Sequence, residues 1–184
     1  MMGRMHSGAT DPLLDDFTRV LLELRWGDMD VYGHVNNVTQ LRLLEEARVR
    51  VLGSPTHSTD APTTPGHFGI AATISGVEIP AVFAAASATT ELLVASHAIE
   101  YRAPIPYRSG PIAVDLVISD VSPASVTVGY VICEPDGTRA YTVAETVVVF
   151  IDKASGRPRR LSAAETEAMD SVLGGKVPLR RARR

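Results

Sequence analysis

The stretch RWGDMDVYGHVNNVTQ, residues 25–40, decides how the rest of the chain is read. Asp28 and Asp30 flank Met29, and Gly33, His34, Asn36 and Asn37 follow closely. These polar groups crowd between an apolar run and a helical pattern. A calcium loop needs a bidentate carboxylate at its twelfth position, but Thr39 stands there, with Tyr32 at the fifth. Asp28, Asp30 and His34 have no second histidine cluster to complete a transition-metal site, so no metal is expected. Two readings stay open on spacing alone. One is a strand-to-helix turn with an asparagine cap, since Asp, Gly and Asn are ordinary turn residues. The other is a carboxylate beside a helix N-terminus. Unpaired N–H groups there stabilise an oxyanion while the carboxylate attacks a carbonyl or activates water.

Upstream, FTRVLLELRW (17–26) alternates as a strand, with Thr18, Val20, Leu22, Leu24 and Trp26 on one face. Downstream, the spacing predicts a helix from Val38 to about Leu52, capped by Asn36 or Asn37. Val38, Leu41, Leu44, Ala47, Val51 and Leu52 would share its apolar side, and Gly53-Ser54-Pro55 would end it. Residues 54–69 read as a loop, and 70–88 are ambiguous, with a short helix expected over 81–88. Strands are expected over 90–101, 111–121, 125–134 and 139–151. The last three form an antiparallel meander, with a turn at Pro135-Asp136-Gly137. Ser162 with Glu165 three residues on predicts a capping box and a short helix over 162–173.

This order defines one α+β domain. Residues 1–16 are a leader, 17–161 the body with an insert at 54–88, and 162–184 a short helix and basic tail. One helix covers only one face of a five-strand sheet, so the other face is expected to need a partner. Apolar residues make up 45% of the chain, and Cys133 is the only cysteine, which excludes an intrachain disulfide. No apolar run is long enough for a membrane span, and the N-terminus lacks the apolar core of a signal peptide; a cytoplasmic protein is expected. Net charge is −3, yet Lys176, Arg180, Arg181, Arg183 and Arg184 leave a body of 13 basic against 21 acidic residues. Such a tail can bind polyanions, but no aromatic residue interleaves with its charges. A solvated terminus and no nucleic-acid partner are expected.

R-W-G-D-M-D-V-Y-G-H-V-N-N followed by L-R-L-L-E-E-A-R, with I-E-Y-R-A-P-I-P-Y further on, resembles the hotdog-fold acyl-CoA thioesterases of the 4-hydroxybenzoyl-CoA thioesterase type, over about residues 17–161. The resemblance implies one long central helix wrapped by a five- to six-stranded antiparallel sheet. It implies a homodimer joined edge to edge, with such dimers often pairing into tetramers, and a site at the dimer interface. The implied activity is hydrolysis of an acyl-CoA thioester to a carboxylic acid and coenzyme A, with no metal or redox cofactor. Catalysis falls on Asp30, and the oxyanion contact on the backbone N–H of Asn37 or Val38. Gly33 allows the tight turn, His34 and Asn36 shape the loop beside the thioester, and Asp28 is structural or electrostatic. The chain departs from the family at Gln40, where an aromatic residue normally packs near the substrate, so a different acyl pocket is expected.

Arg102 and Arg108 flank the APIPY bend and are candidates for the phosphates of coenzyme A, because arginine forks suit phosphate. Glu45 is the alternative catalytic carboxylate, since another branch of hotdog thioesterases uses a helix glutamate. His97 is expected to be a hydrogen-bonded strand histidine, His57 and His67 solvated loop residues, Glu145 a solvent or subunit contact, and Cys133 a packing residue. Three rival functions stand beside hydrolysis of acyl-CoA. One is action on acyl chains carried by acyl carrier protein, docked on Arg157, Arg159 and Arg160. The others are a catalytically silent acyl-CoA-binding module and a polyanion binder using the tail.

Overall fold

Residues 14, 16–52, 72–76 and 89–180 are described by a computed structural model. Alternating apolar positions make Thr18–Leu22 a strand, β1, whose inward residues Val20 and Leu22 are fully buried. The strands that follow are β2 (Ala72–Gly76), β3 (Thr90–Tyr101), β4 (Ile112–Ser122), β5 (Ser125–Cys133), β6 (Ala140–Asp152) and β7 (Arg157–Pro158). They form one seven-stranded sheet in the order β2-β1-β4-β5-β6-β3, with β7 on β6, and every pairing is antiparallel. The expected meander is β4-β5-β6. The sheet exceeds the expected five to six strands because β2, from the ambiguous 70–88 segment, pairs with β1 and the short β7 adds to β6. The 54–69 loop and the helix expected over 81–88 lie outside the described residues.

Helix α1 (Asn37–Leu52) packs Leu43, Leu44, Ala47 and Leu52 on the inner face of the sheet, against Val20, Leu22, Leu116, Tyr130 and Phe150 among others. Its stripe is rotated from the expected one. Gln40, Leu43 and Arg48 are buried, Leu41 and Val51 are only partly so, and Val38 is 67% exposed. Periodicity misassigned them because the polar residues find partners inside. Gln40 bonds to Val35 and Thr142, and Arg48 donates to the Tyr130 hydroxyl at 3.2 Å. Trp26 also leaves the face predicted for it and is 82% exposed. The strand stops at Leu22, and Trp26–Asp28 forms a 3-10 turn closed by the Arg25 N–H donating to the Asp28 carboxylate at 2.7 Å.

β4 is buried at every position from Ile112 to Ser119. Helix α1 accounts for one face. The other is covered by the chain itself, where Leu14, Phe17, Val177 and Leu179 pack on Ala113, Val117, Val131, Cys133 and Val143. The segment after helix α2 (Ala163–Asp170) crosses this outer face as a strap. The Gly174 N–H donates to the Ile118 carbonyl at 2.8 Å, and Val177 seats on Gly129, where an added Cβ would lie 2.8 Å from Val177 Cγ1. Two expectations are thereby refined. Val177 is buried and Leu179 half-buried in the tail, while Lys176 and Arg180 stay exposed as expected, and the β4–β6 part of the second sheet face has an intrachain cover. Cys133 is a packing residue as expected, since burial and the nearby Asp115 carboxylate push its thiol up to about 12.

The capping box at Ser162 and Glu165 forms as expected, and Arg159 adds a bidentate fork to the same carboxylate at 2.7 and 2.9 Å. The Arg159 hydrogen bonds hold Glu165 at about 2, below the ordinary 4.5. The stabilisation is therefore complete above pH 4.5 and is lost as pH falls toward 2. Glu165→Gln is expected to cost about 1–2 kcal/mol at neutral pH by urea unfolding. That difference should shrink as the pH is lowered through this window.

Candidate active site

The loop from Asp28 to Asn36 folds back on itself as a small hairpin. Met29 bridges to Val35, the Asp30 N–H donates to the His34 carbonyl at 2.8 Å, and the Asn36 N–H donates to the Asp28 carbonyl at 3.0 Å. Gly33 turns the hairpin in the left-handed region with φ 76°, which a side chain would resist. Asp28 is buried as the closer of the 3-10 turn, which fits the structural role expected of it.

Asp30 is held by one carboxylate oxygen only. Its Oδ1 accepts from the Tyr32 N–H at 2.8 Å and the His34 N–H at 3.1 Å, while Oδ2 has no partner among the described residues. One step along the hairpin, Asn36 Oδ1 accepts the Val38 N–H at 2.8 Å, so Asn36 is the cap of α1. The Gln40 N–H is the first to bond back along the helix, to the Asn36 carbonyl at 2.9 Å. Val38 is thus excluded as a free donor, and the Asn37 N–H has no partner among the described residues. Asp30 is two hairpin positions from the Asp28–Asn36 pair, about 7 Å at strand rise. A half-free carboxylate and an unpaired helix N–H therefore belong to the same hairpin-to-helix segment.

The second motif meets the first here. The Val35 N–H donates to the Ile105 carbonyl at 2.9 Å, and His34 bridges to Pro106, so the APIPY bend braces the hairpin. At the end of β3 the Tyr101 hydroxyl donates to the Asn37 carbonyl at 3.3 Å. Tyr101 lies within a motif already quoted, but its reach to the helix start depends on strand pairing that no local pattern encodes. Exposed Trp26, Val31, Tyr32 and Val38 surround the hairpin and helix start. An apolar rim of this kind marks a surface that something covers.

The other candidates lie apart. Gln40 is 2% exposed, and its side chain is spent on the Val35 carbonyl and the Thr142 hydroxyl. Arg108 pairs with Glu134 and donates to the Tyr141 hydroxyl. Arg102 donates to the Pro178 carbonyl on the strap. Glu45 is 65% exposed in its side chain, 3.7 Å from Arg48, and eight residues along α1 from Asn37, a rise of about 12 Å. His97 is hydrogen-bonded to Thr146 at 2.9 Å, and burial followed by the Arg48 cation lowers its pKa. Among the described residues no helix is long and apolar enough to cross a membrane.

A single antiparallel sheet packed on one long helix, with the carboxylate-bearing hairpin at the helix start, is a hotdog-like thioesterase fold. The chain belongs to the thioesterase-like superfamily, whose sequence profile matches residues 24–170, and it is a thioester hydrolase. Solved structures agree in fold. The YbaW protein of Escherichia coli, a candidate thioesterase, is 20% identical over 85% of this chain and 98% of its own, with a TM-score of 0.63. A Thermus thermophilus thioesterase solved with coenzyme A and zinc is 21% identical over 85% of this chain and 95% of its own, with a TM-score of 0.59. A candidate acyl-CoA thioesterase from Xanthomonas campestris is 31% identical over 73% of this chain and 92% of its own, with a TM-score of 0.50. No curated protein matches the chain.

Proposed function

We propose that the protein hydrolyses acyl-CoA thioesters, with Asp30 as nucleophile or general base and the Asn37 N–H as oxyanion donor. The observation that carries this reading is the free Oδ2 of Asp30 on the hairpin that leads into the capped helix start, where the Asn37 N–H has no partner among the described residues. The coenzyme A bound to the Thermus relative and the acyl-CoA designation of the Xanthomonas relative support the carrier. As base, Asp30 takes a proton from water while the water oxygen adds to the thioester carbon. The carbonyl oxygen becomes an oxyanion held by Asn37, and collapse breaks the C–S bond. The proton then passes to the departing thiolate, giving free acid and thiol. As nucleophile, Oδ2 adds to that carbon directly, and water opens the resulting mixed anhydride. His34, Asn36 and Gly33 hold the hairpin in shape, and Val38 lines the rim.

A homodimer joined along β3 fits this site. β3 ends the sheet and exposes Leu93, Val94 and Tyr101. Further pairing of dimers through the outer sheet face would meet the strap.

The test is thiol release over short, branched, aromatic and long acyl-CoAs. Turnover of one class is the expected result, with Glu45→Gln within about twofold of the parent because Glu45 stands two helical turns from the oxyanion donor. Binding of acyl-CoA with no thiol released from any of them would instead identify a silent module.

A further inference from the structure

Tyr101 joins two surfaces. Its hydroxyl reaches the Asn37 carbonyl at the helix start, and with its neighbours Glu100 and Arg102 it lines an open cavity of about 590 Å³. The fourth lining residue, Arg180, comes from the strap. The strap fixes Arg180 there through separate contacts: Gly174 on Ile118, Val177 against Gly129, and the Pro178 carbonyl accepting from Arg102. The Arg180 N–H then bonds to the Glu100 carboxylate, which also lies 4.0 Å from Arg102. Glu100 is therefore engaged by the strap and by Arg102, while the Arg180 guanidinium has no partner among the described residues. Lys176, without a partner in the same sense, lines the adjoining 740 Å³ cavity beside Arg180. The contrast with Arg159 and Arg19, each forked onto a carboxylate, and with Arg108, shared between Glu134 and the Tyr141 hydroxyl, is plain.

We propose that the strap completes a phosphate-binding site for the nucleotide end of coenzyme A, with Arg180 and Arg102 as its cations and Lys176 at its rim. The inference rests on the acyl-CoA reading above and adds a binding element outside the family match, which ends at residue 170. A thioester positioned at Asn37 extends its pantetheine arm past Tyr101, where β3 leaves the sheet. The phosphates then arrive where a planar guanidinium fork is unspent.

The experiment compares one acyl group on coenzyme A and on pantetheine, which lacks the nucleotide. In the full chain, Arg180→Gln is expected to lower the ratio of kcat/KM for the CoA thioester over the pantetheine thioester about tenfold, mainly through KM for the CoA form. Arg180→Lys should retain only part of that preference, because the charge stays while the fork is lost. Calorimetry with adenosine 3′,5′-bisphosphate supplies a readout free of hydrolysis. Binding should weaken about tenfold in Arg180→Gln and also with added salt. A preference within about twofold of the parent value in Arg180→Gln, or bisphosphate binding that is absent or unchanged by the substitution, overturns the proposal. If neither thioester releases thiol, the hydrolase reading falls while the calorimetric arm still decides the nucleotide site.

Discussion

Asp30→Asn is expected to lower kcat/KM for the best acyl-CoA about 10³-fold while leaving the protein folded. The two effects separate because the carboxylate is divided in its duties. Oδ1 accepts the Tyr32 and His34 N–H groups, and an asparagine Oδ1 can keep both. Oδ2 would become an amide nitrogen, which neither accepts a proton from water nor attacks a carbonyl. Asp30→Ala removes the turn contacts as well, so it should lose stability along with activity. Thiol release and thermal unfolding on the same preparations distinguish them. Full activity in Asp30→Asn would remove the carboxylate from the mechanism.

Gln40→Leu should cost about 2–3 kcal/mol in urea unfolding, a large loss for one helix position. The leucine would leave the Val35 carbonyl and the Thr142 hydroxyl without their partner in a site that is 2% exposed. Val35 also bridges to Met29 and donates to Ile105, so the same loss loosens the hairpin that carries Asp30. Activity should fall with stability, by about tenfold in kcat with a smaller change in KM. Gln40→Met combined with Thr142→Val should recover part of the stability, because one of the stranded polar groups is then gone. Gln40 thus anchors the loop that holds the carboxylate.

The features legible in the sequence are those set by neighbours within a few positions. The Asn36 cap, the Ser162–Glu165 box, the Pro135-Asp136-Gly137 turn and the Asp28–Asn36 loop all depend on side chains reaching nearby backbone. The meander was readable for the same reason, since its links are short. Features that join distant segments were not. Gln40 is buried because Thr142, 102 positions away, meets it across the core. Val38 and Trp26 are apolar by composition yet stand outside, at the rim of the site. Tyr101 reaches Asn37 only after β3 has paired with β6. In the proposed site, the carboxylate and the helix start are visible in one motif, whereas the pairing of the Val38 N–H with the Asn36 side chain emerges only from the cap geometry.

Gly129 gives the strap a further meaning. The missing side chain makes room for Val177, and Val177 in turn shields Ala113, Val117, Val131 and Val143. A cut in the exposed residues between Met169 and Val177 would free this cover without breaking any strand. The bared sheet would then offer a contiguous apolar surface to other copies, favouring aggregation. The strap therefore shields this face from other copies, and a side chain added at position 129 would push Val177 off it.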